Sequence, residues 1–149
     1  MAAREQGKSE PFSIRLGTPE EKFVREEARR LHRTRSSIVE TYTAEGIRMR
    51  RYPGIAFRGE DHRRRAWVLG TGLDVWEIVA LVGDFVSEQK LVQEYALTRG
   101  QIRVALAYSD EFRSEIEDQL ALGRRTAEEL QSRYPFVQSF EAATSLAGA

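Results

Sequence analysis

The amino-acid sequence predicts a mainly α-helical protein with short β segments: a small N-terminal unit completed by a second copy of itself, then a helical domain carrying a β-hairpin. Three observations predict it. Phe12, Ile14 and Leu16 alternate with Ser13 and Arg15, the period of two that puts one face of a short strand on a core. Two helical patterns follow it, and a single strand with two helices has too little apolar area, and too many open strand edges, to close a core alone. Beyond Pro53, two short apolar strands flank a polar turn and lead into three short helices, each opened by a capping residue.

Residues 1–10 mix small, charged and amide side chains without an apolar period, the pattern of a disordered arm. After the strand, which Gly17 ends, Thr18-Pro19-Glu20-Glu21 predicts a helix start, with Thr18 as cap, proline in the first helical position and Glu21 completing a capping box. That helix runs to about Leu31 and buries Phe23, Val24, Ala28 and Leu31. The link His32-Arg33 leads to Thr34 or Ser36 as the next cap. Ile38, Val39, Tyr42, Gly46, Ile47 and Met49 then follow at helical spacing until Tyr52-Pro53-Gly54 stops the helix. Residues 11–52 are thus one predicted domain, for dimerisation and binding.

Residues 53–110 form the second. Ile55 to Phe57 and Ala66 to Leu69 pair around Gly59-Glu60-Asp61, His62 and Arg63 to Arg65 lead into the return strand, and Gly70-Thr71-Gly72 closes the hairpin. Asp74 and Glu77 make a capping box for a nearly all-apolar helix through Val82, with Gly83 as its stop. Ser87 caps a helix containing Leu91, Val92 and Tyr95, and Thr98 with Gln101 caps one containing Ile102, Ala105, Leu106 and Tyr108, a helix-turn-helix-like succession. Residues 111–149 hold a longer charged helix from about Glu111 to Arg133, with Gly123 as a place to bend, and a tail from Tyr134.

Composition excludes much. The chain has no cysteine, hence no disulfide, thiolate zinc site or cysteine nucleophile, and its only imidazoles are His32 and His62, neither near a carboxylate-rich metal pattern. Pairs such as Asp84 with Glu88 or Glu115 with Asp118 fall at spacings any charged surface shows, and phosphate loops, nucleophile elbows and dinucleotide fingerprints are absent. The expectation is a protein that is not an enzyme and needs no cofactor. Without a long apolar run or a signal-peptide core it is expected in the cytoplasm, away from membranes. The formal charge of zero hides an asymmetry: residues 1–70 hold sixteen basic against ten acidic side chains, a net +6, and residues 71–149 seven against thirteen, a net −6. The field that attracts phosphate belongs to the first half.

In an antiparallel pair of such strands about a dyad, Ser13 and Arg15 face away from the helices on a ribbon narrow enough for the DNA major groove, where arginine suits guanine O6 and N7. At the start of the second helix Thr34, Arg35, Ser36 and Ser37 gather free backbone N–H groups, hydroxyls and a cation, a means of holding a phosphate. Taken singly these are an edge strand and ordinary caps; their order and tight spacing favour DNA reading. Arg63, Arg64 and Arg65 have two readings, a reach to flanking DNA backbone or a solvated charge run. Arg99, Gln101 and Arg103 stand where a helix-turn-helix places reading side chains, but within the acidic half.

Phe12-Ser-Ile-Arg-Leu16, Thr18-Pro-Glu-Glu21 and Thr34-Arg-Ser-Ser-Ile-Val-Glu40 resemble the ribbon-helix-helix family of bacterial repressors and antitoxins over residues 11 to about 51. Pro11 stands where that family often has a polar base-reading residue, and Arg33 where glycine is common. The resemblance implies an intertwined homodimer on an inverted-repeat operator, with Ser13 and Arg15 reading bases and Thr34 to Ser37 holding phosphate. From Tyr52-Pro-Gly-Ile-Ala-Phe57 through Gly72-Leu-Asp-Val-Trp-Glu77 to Leu97-Thr-Arg-Gly-Gln-Ile-Arg-Val-Ala-Leu-Ala-Tyr108, the chain resembles a small antitoxin-like helix-turn-helix domain whose relatives accompany PIN-like ribonuclease toxins. Together the two imply a VapB-like type II antitoxin that represses its own transcription. The alternatives are a free-standing ribbon-helix-helix regulator and a dimeric protein-interaction module that does not bind DNA. An antitoxin needs a toxin-binding segment apart from its ribbon. The resemblance assigns that role to Arg124, Arg125 and Arg133 and to Phe136, Val137 and Phe140 of the tail, apolar residues that can equally pack on the protein's own helices.

Overall fold

The computed structural model describes residues 10–60, 64–85 and 87–134 of the chain. It is mainly helical, with a small two-stranded antiparallel sheet. In chain order the elements are α1 (Thr18–Arg30), α2 (Arg35–Arg51), β1 (Ile55–Arg58), β2 (Arg65–Val68), α3 (Val75–Asp84), α4 (Glu88–Tyr95), α5 (Arg99–Glu111) and α6 (Arg113–Arg133). The compact units divide between Tyr42 and Thr43, within α2 and not at the Tyr52–Pro53 break.

In the first unit the alternating segment before α1 forms no strand within this chain, and residues 10–17 are all exposed. The first-helix cap also differs from expectation. Gly17 is the N-cap, in extended geometry and with no side-chain cap bond, while Thr18 already belongs to the helix and Pro19 lies in its first turn. Glu20 and Glu21 in that turn complement the helix dipole instead. Val24 and Ala28 of α1 and Ile38 of α2 form the buried cluster, joined by the partly buried Leu31, Val39 and Tyr42. Phe23, expected inside, is 53 % exposed and meets the Tyr42 ring at 6.1 Å between centroids.

The turn between these helices has a definite form. Arg33 N–H donates to the Ala28 carbonyl at 2.9 Å and His32 N–H to that of Arg29 at 3.4 Å, the paired bonds of a Schellman ending. His32 takes the left-handed position, φ +51°, which usually falls to glycine. Thr34 then caps α2, its hydroxyl accepting from the Ser37 N–H at 3.1 Å.

The second unit is built on the hairpin. Ile55 pairs with Val68 and Phe57 with Ala66, putting these four on the face that meets the core, whereas Ala56 and Trp67, then Arg58 and Arg65, face the other way. Two arginines opposite each other on a ladder repel. Asp74, only 3 % exposed, resolves this: its Oδ1 accepts from Arg58 Nε at 2.7 Å and its Oδ2 from Arg65 Nε at 2.8 Å. A bridge between Trp67 and Asp74 brings this carboxylate beside the sheet, and the Arg58 guanidinium lies over the Trp67 ring at 5.0 Å. Asp74 also precedes α3, where the Glu77 carboxylate accepts its N–H at 2.7 Å as the capping box requires.

Behind the hairpin, Val75 and Ile78 of α3, Leu91 of α4, Ile102, Ala105 and Tyr108 of α5 and Ile116 of α6 complete a core with Leu97. Gly83 lies inside α3 and does not stop it; the helix ends at Asp84, with Phe85 as its extended C-cap. Ser87 caps α4, and Thr98 with Gln101 closes a capping box on α5, as their spacing predicts. Gly123 does not end α6. A β-carbon there would lie 2.9 Å from the Trp76 ring, so the missing side chain is what lets α3 and α6 approach.

Arg48, in the later part of α2, is the second unit's other polar anchor. Its Nη1 donates to the Tyr108 hydroxyl at 2.8 Å and to Glu115 Oε2 at 2.7 Å, and its guanidinium lies 3.9 Å from the Phe112 ring centroid. Burial, then the Glu115 charge, pushes the Tyr108 phenol well above its ordinary range. The phenol stays protonated, and its O–H donates a hydrogen bond to Glu115 Oε1 at 3.1 Å. Arg51 pairs with Glu111 and Arg64 with Glu45 in the same unit.

Two substitutions test this packing. Asp74→Ala removes charge-assisted bonds to both strands and should lower stability by about 2 to 3 kcal/mol, read as a fall in the denaturant midpoint. Gly123→Val overpacks the Trp76 contact and should cost about 1 to 3 kcal/mol; an unchanged midpoint contradicts the close approach.

Candidate nucleic-acid interface

Residues 11–37 hold the predicted interface, and they stand in one unit. Ser13 and Arg15 lie exposed in the segment before α1, where Phe12 is 81 %, Ile14 52 % and Leu16 37 % exposed as well. Within this chain the segment therefore offers both of its faces to solvent. Apolar side chains left in this state gain about 1.5 to 3 kcal/mol each if something buries them fully.

At the start of α2 the four predicted phosphate-holding residues are adjacent but differently occupied. Thr34 uses its hydroxyl as the helix cap. Ser36 is exposed. Ser37 hydroxyl oxygen accepts from Arg33 Nε at 3.0 Å, and Arg33 Nη2 reaches Ser37 and, at 3.0 Å, the Thr41 hydroxyl. Arg33 thus wraps along α2 as a brace, in a position from which its charge still contributes to the local field. Arg35, the first residue of α2, points its Nη1 at Glu21 Oε1 of α1, 3.3 Å away, with its side chain 66 % exposed. Glu21 itself is held by Arg25, whose Nη2 stands 2.7 and 2.6 Å from its two oxygens. These guanidinium groups, Arg25 foremost, keep the Glu21 carboxyl below the usual carboxylate range, so it is an anion. The first N–H groups of any α-helix lack an intrahelical acceptor, so α2 offers donors beside these cations.

The remaining predicted residues lie apart from this cluster. Arg64 donates to Glu45 and to the Gly59 carbonyl, and Arg65 to Asp74, so both guanidiniums brace the hairpin. Arg63 and His62 lie outside the described residues. Arg99 pairs with Glu88 at 3.8 Å, Arg103 is exposed, and Gln101 is committed to its cap and to the Leu69 carbonyl at 3.2 Å. Arg124, Arg125 and Arg133 are exposed on α6, and Phe136, Val137 and Phe140 lie outside the described residues. His32 sits exposed in the α1–α2 turn, and no group of three or more His, Asp or Glu among the described residues is placed to hold a metal ion. No helix among them is long and apolar enough to cross a membrane.

Sequence reasoning missed two features here. The Glu21–Arg25 pair was visible as an i, i+4 spacing, but the reach of Glu21 to Arg35, fourteen residues on, depends on how the α1–α2 turn folds back. The brace from Arg33 depends on the same turn. Comparisons of the chain with protein-family models, curated proteins and solved structures find no match.

Proposed function

We propose that the chain is a homodimeric, sequence-specific DNA-binding repressor of the ribbon-helix-helix kind, serving as the autoregulatory antitoxin of a type II pair with a PIN-like ribonuclease. One observation carries the DNA-binding part: Phe12, Ile14 and Leu16 alternate along an exposed segment and Phe23 lies exposed on the following helix. A second copy supplies what this segment lacks. Antiparallel pairing about a dyad satisfies the backbone of both segments and buries their apolar face, leaving Ser13 and Arg15 of each copy on the outer face of a two-stranded ribbon. The α2 starts then flank that ribbon as phosphate contacts, with Thr34 to Ser37 providing hydroxyls, N–H groups and the Arg35 cation. The antitoxin part is supported by the resemblance of residues 52 to about 120, and it assigns α6 with its exposed arginines, and the tail, to the toxin.

The commitment of Arg35 to Glu21 and of Arg33 to Ser37 and Thr41 favours a second reading, a dimeric protein-interaction module with little affinity for DNA. Salt separates the two. A DNA reader loses affinity steeply as salt rises, because bound phosphates release counterions, while the module shows almost no duplex binding at any salt.

Two outcomes are expected. Ile14→Asp puts a charge on the pairing face and should convert a dimer into monomer in analytical ultracentrifugation; a dimer of undiminished strength removes the ribbon. Arg15→Ala, tested by fluorescence anisotropy on a site selected from a random duplex pool, should weaken binding by about 1 to 3 kcal/mol and relax sequence choice. Equal affinity of wild type and variant for selected and random duplexes argues against reading by this residue.

A further inference from the structure

We infer that Glu21 is a built-in competitor for DNA phosphate, an anion of the protein's own that occupies the Arg35 guanidinium until a duplex displaces it. This inference rests on the DNA-binding reading above and adds to it a device that sets affinity. Its basis is geometric. Glu21 lies one turn into α1 and Arg35 is the first residue of α2, and the Schellman turn at His32 folds the chain so that the two side chains meet at 3.3 Å. That distance is loose beside the 2.6 and 2.7 Å contacts that Glu21 makes with Arg25. Arg25 therefore holds the carboxylate in place, and Arg35 is the partner more easily surrendered. A phosphate at the α2 start offers the same guanidinium two oxygens, together with the N–H donors of the first turn, which Glu21 does not reach. The exchange replaces one exposed ion pair by a better one, and Glu21 keeps Arg25 as its counterion. A duplex thus meets a cation already oriented toward an anion, while smaller or more weakly charged ligands gain little by displacing the carboxylate.

The test is a double-mutant cycle on the full chain, read as affinity for a short random-sequence duplex, since phosphate contacts carry no sequence information. Glu21→Gln should tighten binding about threefold, the scale of losing one exposed competing ion pair, and the gain should vanish when Arg35 is also replaced by alanine. Glu26→Gln, which removes an equal charge from the same helix, is the control and should give a smaller gain that persists without Arg35. An equal gain from Glu21→Gln with and without Arg35 overturns the inference, because the effect is then one of net charge. No gain, in a protein whose duplex binding is salt-sensitive, also overturns it and leaves the DNA-binding reading standing. Absence of salt-sensitive binding in wild type and Glu21→Gln alike overturns both.

Discussion

A hydrophobic core must be enclosed, and the first unit has too few apolar side chains meeting one another to enclose one. Val24, Ala28 and Ile38 are its buried residues among those described, while Phe12, Ile14, Leu16 and Phe23 remain exposed. Two helices joined by a tight turn can orient each other, but a cluster of three buried side chains contributes only a few kcal/mol against the entropy of ordering some thirty residues. The alternation of residues 12–16 offers one remedy for this shortage, pairing with a second copy, and the DNA-binding part of the proposed function rests on it.

The second unit meets the opposite condition. Its core is enclosed, and its arginines act as struts between elements. Arg58 and Arg65 come from paired strands and share one buried carboxylate; Arg48 joins α2 to the end of α5 and the start of α6 through a phenol, a carboxylate and a ring face. Guanidinium suits this work because its fixed fork can serve several acceptors while its plane rests on an aromatic ring. Removing the shared anion exposes two like charges to each other, so the hairpin and the start of α3 stand or fall together.

Local rules made much of this legible. Capping residues at Ser87, Thr98 and Asp74 act where their spacing placed them, as do the hairpin strands and the end of α2 before Pro53. What failed was decided by tertiary context. Gly83 carries no signal of whether its helix continues, and it continues; nor does the sequence mark that Gly123 leaves the space taken by Trp76. Thr18 yields the cap to Gly17. His32 adopts a left-handed backbone that composition alone does not mark, and the meeting of Glu21 with Arg35 depends on it. In the candidate interface the residue types were legible, but which cations had internal counterions was not.

The pairing of Arg48 and Arg51 with Glu115 and Glu111 changes the meaning of the chain's charge asymmetry. Much of the positive excess of residues 1–70 is neutralised by the acidic half inside one folded body. Residues 1–42 by themselves hold nine basic against seven acidic side chains, a net +2. A pair of such units would feel only a gentle long-range pull toward a duplex, which would leave the choice of where to settle to contacts made at touching distance. On the DNA-binding reading proposed above, such a protein would dwell briefly on wrong sequences and rely on the fit of its paired segments to stay on the right one.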